Sequence, residues 1–374
     1  MNTLFVGPYR QNDGWGLATR SYIRALASQH KNITTRPVYL ATPDPYFNEP
    51  DILGYENTRY DNYDVVIQKT LPHCLFLNRS YAKNIGLFVL ETNHIKESYC
   101  IANINRMDEI WVPSKIEEQC LKKSGVTTTV KTISQPLDTV FIEQNRNYKL
   151  QLNPILDNMF KFYFIGEHNF RKNILDLVTA FNLAFDYSEP VCLIIKTSKN
   201  GVHPNETSKK LEEEIEALKN KLNISKKYKK EIIITNQLSY QDIIGLHNSC
   251  DCFVAPSYGE AFCRPAAEAL VLGKTPIVNQ NTGMKDYINE HNGFLVKSHK
   301  TPVILEHRTL SKDFDLYNAD EYWYKIDMYD LIDKMRSVYN MHCKKDPQLI
   351  AKQENGISCL NNFSYESIGS KLCI

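Results

Sequence analysis

Apolar runs of four to six residues recur along the chain, separated by stretches whose apolar positions follow helical spacing. Runs this short and this regularly interrupted predict buried strands alternating with helices, and hence parallel sheets covered on both faces. In the first half, Leu4 to Val6, Val65 to Ile67, Leu87 to Leu90, Glu109 to Val112 and Val130 to Ile133 read as strands. In the second half, Lys161 to Ile165, Val191 to Lys196, Ile232 to Thr235, Cys252 to Ala255, Thr275 to Val278 and Gly293 to Val296 repeat the pattern. Between the two series, Asn145 to Asn158 is polar, lacks periodicity and contains Pro154, which are the marks of a linker. The pattern therefore predicts an α/β fold with two doubly wound units in tandem. A helix is expected over Ala18 to Ser28, and a solvated amphipathic one over Ser208 to Leu222.

Length agrees with this division, since 374 residues correspond to about two domains. Forty-four Lys and Arg against 43 Asp and Glu leave a formal charge of +1, so no net field draws the chain to nucleic acid or an anionic membrane. The short basic run Lys226 to Lys230 reads as a solvated helix end, and Ser298 to Asp320 as a polar surface insertion. Ten cysteines without a Cys-x-x-Cys pair read as free thiols in a reducing compartment. The apolar strand beginning at Met1 has no basic leader, and no apolar stretch approaches the ~20 residues of a membrane helix. These features predict a soluble, cytoplasmic protein without a transmembrane segment.

The chemistry concentrates in Pro256 to Leu270, directly after the strand Cys252 to Ala255. Pro265 suits the first position of a helix, which leaves Glu260 on the preceding loop and puts Glu268 one turn inside. Two such carboxylates either face a common cleft at the strand's C-terminal end, where open α/β sheets bind ligands, or serve as a cap and a surface pair. Free N–H groups at the helix start, on Arg264, Ala266 and Ala267, suit an anion. After the strand Lys161 to Ile165, the segment Gly166 to Asn173 carries Arg171 and Lys172, either an anion clamp or a solvent-facing pair. Asp13-Gly14-Trp15-Gly16-Leu17 offers two glycines, Gly14 and Gly16, for a tight turn and close backbone approach to a ligand. Asp313-Phe314-Asp315 has the spacing of a divalent-cation site but lies in the polar insertion, away from the other motifs, and reads as an exposed loop.

Glutamate, seven residues, then glutamate, with a proline before the second, resembles the signature of the retaining GT-B glycosyltransferases of family 4. The likeness is collinear from Val6 to about Asp327 and includes Gly166 to Asn173, Asp108 to Ser114, Gln135 to Asp138, Thr282 to Met284 and Asn292 to Phe294. It implies a GT-B fold, two Rossmann-like domains facing across a cleft. Residues 1–150 would form the acceptor-side domain and 151–355 the nucleotide-sugar-binding domain. Residues 356–374, with a helix starting at Phe363 to Glu366, would cross back to the first.

The resemblance further implies transfer of a hexose from a nucleotide diphosphate-sugar to a hydroxyl acceptor on a glycan, glycoprotein or glycolipid, with retention of configuration. Arg171 and Lys172 would stabilise the leaving diphosphate where its charge develops. Glu260 would orient the sugar hydroxyls, and Glu268 would accept hydrogen bonds from the ribose. Phe262, Cys263 and Arg264 would line the donor, and Asn236, Gln237 and Leu238 would wall the base. Glu91 stands where many members have a histidine, with His94 three residues on, and is expected beside the transferred sugar. Ala261 and Cys263 replace glycines common in the family, and Glu167 replaces an arginine. GDP-mannose is the first expectation for the donor, ahead of GDP-glucose and UDP-glucose. No metal or other cofactor is expected, and no dimer face can be read. Two other readings stand beside this one: a silent nucleotide-sugar sensor, and an NAD-dependent dehydrogenase, for which the usual Gly-x-Gly-x-x-Gly after a strand is missing.

Overall fold

A computed structural model describes all residues except 31, 42, 96–97, 223–227, 230, 305–316, 318–319 and 373–374. The chain forms two compact units. The first comprises the described residues of Met1–Val140, Leu310–Tyr322 and Asn361–Ile374, and the second those of Phe141–Thr309 and Trp323–Leu360.

In the first unit the strands are β1 (Thr3–Gly7), β2 (Ile33–Pro37), β3 (Val65–Lys69), β4 (Lys83–Leu87), β5 (Glu109–Val112) and β6 (Thr129–Thr132). They pair in parallel in the order β2-β1-β3-β4-β5-β6. Helices α1 (Gly14–Ala27), α2 (Pro50–Asn57), α3 (Ser98–Ile104) and α4 (Lys115–Lys123) connect them. Two strands depart from the sequence pattern. β2 is an edge strand of Thr, Arg and Pro with one apolar residue at its start, a composition an edge tolerates and a run-based reading passes over. β4 covers Lys83–Leu87 rather than Leu87 to Leu90, because Asn84 and Gly86 interrupt its apolar positions while its backbone still pairs in register with β3.

Helix α1 starts four residues earlier than the sequence suggested. The Asp13 side chain caps it by accepting from the Gly16 N–H at 2.8 Å, so Gly14 and Gly16 belong to the first turn instead of a preceding loop. Only glycine fits at 16, where a Cβ would lie 1.9 Å from the Gln11 carbonyl oxygen. Beneath this turn, β3 ends at the fully buried Lys69, whose ammonium lies 4.8 Å from the centre of the Trp15 ring. Burial pulls the Lys69 pKa down to about 7, against a smaller opposing pull from Asp13.

The short helix α5 (Thr139–Gln144) contains the division between the units. The second unit has β7 (Phe160–Glu167), β8 (Val191–Ser198), β9 (Ile232–Ile234), β10 (Cys252–Ala255), β11 (Ile277–Asn279) and β12 (Phe294–Val296). Their order is β12-β11-β10-β7-β8-β9, with every described pairing parallel. Its helices are α6 (Ile174–Ala184), α7 (Pro204–Leu222), α8 (Tyr240–Ser249), α9 (Arg264–Val271), α10 (Met328–Cys343) and α11 (Pro347–Ser358). Side chains alternate across this sheet with period two. Val191, Leu193 and Ile195 of β8 join the cluster under α6 and α10, while Cys192 and Ile194 join the one under α8 and α9. The ends of the polar insertion form a separate two-stranded sheet, β13 (Ser298–Pro302) with β14 (Tyr322–Ile326).

Residues Asn145 to Leu150 are tied to α8: Leu150 N–H donates to the Gly245 carbonyl at 3.0 Å, and Asn248 donates to the carbonyls of Asn145 and Tyr148. The last helix, α12 (Tyr365–Gly369), lies in the first unit against α1. Among the described residues no helix is long and apolar enough to cross a membrane, and the nine described cysteines form no disulfide.

Two outcomes follow from this packing. A Cβ on Gly369 would lie 2.2 Å from the Ala25 carbonyl oxygen, so Gly369→Ala should lower stability by about 1–3 kcal/mol in urea denaturation and expose the C-terminus to limited proteolysis. Unchanged stability and protection would show that α12 does not hold this contact. For Lys69 the folded pKa lies below the unfolded one, so the unfolded chain binds more protons in between and stability rises with pH from about 7 to about 10. Lys69→Met should flatten that rise in thermal melts and stabilise the protein most at the acid end of the window. Parallel pH profiles for the two proteins would refute the assignment.

Candidate functional site

In the second unit the strand order reverses between β7 and β10, since β8 and β9 lie to one side of this pair and β11 and β12 to the other. Such a point opens a crevice at the C-terminal ends of parallel strands. The loops leaving β7 and β10 there are bonded to each other. Tyr258 N–H donates to the Arg171 carbonyl at 2.8 Å, and the Asn173 side chain donates to the Pro256 carbonyl at 3.2 Å. Asn169 caps the single turn Phe170–Lys172 by accepting from the Lys172 N–H, and Asn173 closes the turn at φ 61°, a left-handed position asparagine tolerates. This fixes the direction of Arg171 and Lys172.

Both cations converge on Glu260. Lys172 Nζ lies 2.6 Å and Arg171 Nη1 3.2 Å from the same oxygen, Oε1, and Arg171 also donates to the Gly259 carbonyl at 2.6 Å. Glu260 is buried, and its backbone carbonyl accepts from the Gly283 N–H at 2.8 Å. Burial pushes its carboxyl up, but the charges of Lys172 and Arg171 outweigh burial and hold it below the ordinary carboxylate range. The arrangement presents two cations, positioned by one carboxylate, at a sheet's ligand-binding edge.

Helix α9 begins at Arg264, with Pro265 at its second position rather than its first. Cys263 precedes it at φ 65°, which accounts for the glycine common here in the resembling family: the backbone is left-handed whichever residue is present. Arg264 and Glu268 pair across one turn, Nε to Oε1 at 2.8 Å. Tyr240 OH donates to the same oxygen at 3.0 Å, and His247 Nε2 lies 3.5 Å from Oε2. The His247 ring in turn meets the Tyr163 hydroxyl at 2.7 Å. For Glu268 too, burial pushes the pKa up while the adjacent His247, Arg264 and Tyr240 hold it down. Its carboxylate is thus engaged by protein donors.

The remaining residues singled out from sequence are distributed as follows. Gln237 is exposed and Leu238 half-buried on the loop between β9 and α8, with Leu238 against the cluster under α8 and α9. The Phe262 ring is buried beside Tyr287, whose hydroxyl donates to the Phe262 carbonyl, so only its backbone is on offer to a ligand. Gly14, Gly16 and Glu91 belong to the first unit. Tyr317 OH donates to the Glu91 carboxylate, and His94 Nδ1 lies 2.7 Å from Asn93 Oδ1. Asp313 and Asp315, and most of the basic run Lys226 to Lys230, lie outside the described residues. Among the described residues, no group of three or more His, Cys, Asp or Glu is arranged to hold a metal ion. Sequence reasoning missed Tyr240, His247 and Tyr163, which look like ordinary helix and strand residues until the fold gathers them around Glu268.

The family model of glycosyl transferases group 1 matches residues 149–307. Sucrose-phosphate synthase from Thermosynechococcus elongatus superposes with a TM-score of 0.65 at 14% identity, covering 100% of this chain and 97% of that one. Anabaena HepE in complex with UDP and glucose gives 0.61 at 13% identity, covering 100% and 98%. The N-terminal domain of Candida albicans trehalose-6-phosphate phosphatase gives 0.66 at 11% identity, covering 99% and 95%. No curated protein matches the chain by sequence. The sequence likeness over residues 149–307 is thus to glycosyl transferases group 1, in a chain whose two parallel six-stranded sheets have the GT-B fold.

Proposed function

We propose that this protein transfers a hexose from a nucleotide diphosphate-sugar to a hydroxyl acceptor with retention of configuration and without a metal ion. The observation that carries the reading is the convergence of Arg171 and Lys172 on the buried Glu260 at the strand-order reversal. A departing diphosphate gains negative charge, and cations already fixed in a dry site stabilise that charge without reorganising. Arg171 offers a planar fork of donors and Lys172 a compact charge, so together they suit two phosphate oxygens of different orientation. In this proposal Glu260 holds both cations in place and turns its second oxygen to the sugar hydroxyls. The departing phosphate oxygen takes the proton of the attacking acceptor hydroxyl, which accounts for retention without an enzymatic nucleophile. GDP-mannose is the first donor to try, followed by GDP-glucose and UDP-glucose, and HepE with bound UDP and glucose favours including the uridine donor. The acceptor is a glycan or glycoconjugate hydroxyl.

The test is release of nucleoside diphosphate from a panel of these donors, with and without added glycan acceptors. Arg171→Met and Lys172→Met should each lower kcat by about 100-fold or more, the usual effect of removing one charge stabiliser. Activity should survive EDTA, and NMR of the product should show the donor's anomeric configuration. Full turnover in both variants, loss of activity with EDTA, or an inverted product would each overturn the corresponding part of the proposal.

Stability gives a separate readout of the same pair. A depressed carboxyl stabilises the fold above its unfolded pKa and loses that contribution as the pH falls through the folded value. Breaking a whole buried pair costs about 3–5 kcal/mol, and Lys172→Met leaves Glu260 paired with Arg171, so the variant should be less stable at neutral pH by less than that. The difference from wild type should narrow below a pH of about 4.5 in urea denaturation. A difference independent of pH would mean that Lys172 acts through packing and not through the Glu260 charge.

A further inference from the structure

Lys196 lies one residue beyond the last apolar position of β8 and is buried. Its register partners are Ile165 of β7 and Ile234 of β9. The loop after β7 carries Arg171 and Lys172, and the loop after β9 carries Gln237 and Leu238, so Lys196 stands on the strand between the two. The alternation that sends Cys192 and Ile194 to the cluster under α8 and α9 puts Lys196 on that same face, the face of Glu268 and Arg264.

A buried ammonium normally has a carboxylate beside it. Arg171 and Lys172 share Glu260, and Arg264 has Glu268. Among the described residues no acid lies within ion-pair distance of Lys196, and one protein acceptor, the Thr197 carbonyl at 3.2 Å, takes one of its three N–H donors. Burial alone pulls its pKa below the ordinary lysine range.

We infer that Lys196 is a third cation of the donor site, binding the diphosphate from the side of the base. This deepens the proposed function and rests on it. The ligand class is a nucleoside diphosphate or its sugar ester, held by Arg171 and Lys172 on one side and by Lys196 on the other. The neighbouring strands make the position specific: one step toward β7 leads to the clamp, and one step toward β9 to the loop expected to wall the base.

The test measures binding of ADP, GDP, UDP and dTDP, and of the matching nucleosides, to wild type, Lys196→Met and Lys196→Gln. Apparent Tm without ligand serves as the check on folding. Loss of one charged hydrogen bond corresponds to about 10–100-fold weaker binding. The inference expects that loss for the preferred diphosphate, an unchanged affinity for its nucleoside, and an unligated Tm at or above that of wild type. Equal losses for nucleoside and diphosphate would overturn it in favour of a contact to the base. A lowered Tm with unchanged affinities in both variants would overturn it in favour of a structural lysine. Wild-type protein that binds none of the four diphosphates would defeat the nucleotide-sugar reading itself, and this inference with it.

Discussion

A carboxylate taken out of water must find positive charge close by, and Glu260 finds two cations on a different loop, the nearer of them 88 positions earlier in the chain. That requirement works in both directions. Arg171 and Lys172 are expensive to bury alone, and Glu260 is what allows them to be held in a crevice instead of extending into solvent. The backbone bonds from Tyr258 to Arg171 and from Gly283 to Glu260 join the loops after β7, β10 and β11 into one piece. The site's geometry therefore depends on a charge balance that a ligand with its own negative charge can alter.

The second carboxylate is built differently. Glu268 and Arg264 are neighbours by helical spacing, so their pairing is local, while Tyr240 and His247 reach them from α8. Placing arginine at the first position of α9 gives this helix start a fixed side-chain charge, while the Ala266 and Ala267 N–H groups, expected from the sequence to be free for an anion, donate to the Cys263 carbonyl. The site thus holds one tertiary charge cluster and one local cluster on neighbouring elements of the same unit.

Much of the fold was legible because apolar runs are what a doubly covered parallel strand requires. β5 and β10 fall where their runs predict. The failures share a cause. β2 is an edge strand and needs no long apolar run, β4 passes through Asn84 and Gly86, and β13 with β14 forms a small separate sheet of mixed polarity. In each case backbone pairing, not an unbroken apolar run, defines the strand. α1 was dated from its first unbroken helical stretch, whereas the Asp13 cap starts it within the glycine turn.

The sequence by itself determined the alternation of strand and helix, the paired glutamates flanking a helix start, and the basic pair after a strand. These are properties of short windows, set by burial period, capping and helical spacing. The tertiary structure decided which strands became neighbours, and with that, which charges met. Strand order depends on how many distant segments cover both faces of a sheet together, and no window of the chain contains that information. Hence Arg171 and Lys172 could be proposed as an anion clamp from sequence, but their common partner Glu260, and the position of Lys196 on the strand between the loops after β7 and β9, became visible only when β7, β8, β9 and β10 lay side by side.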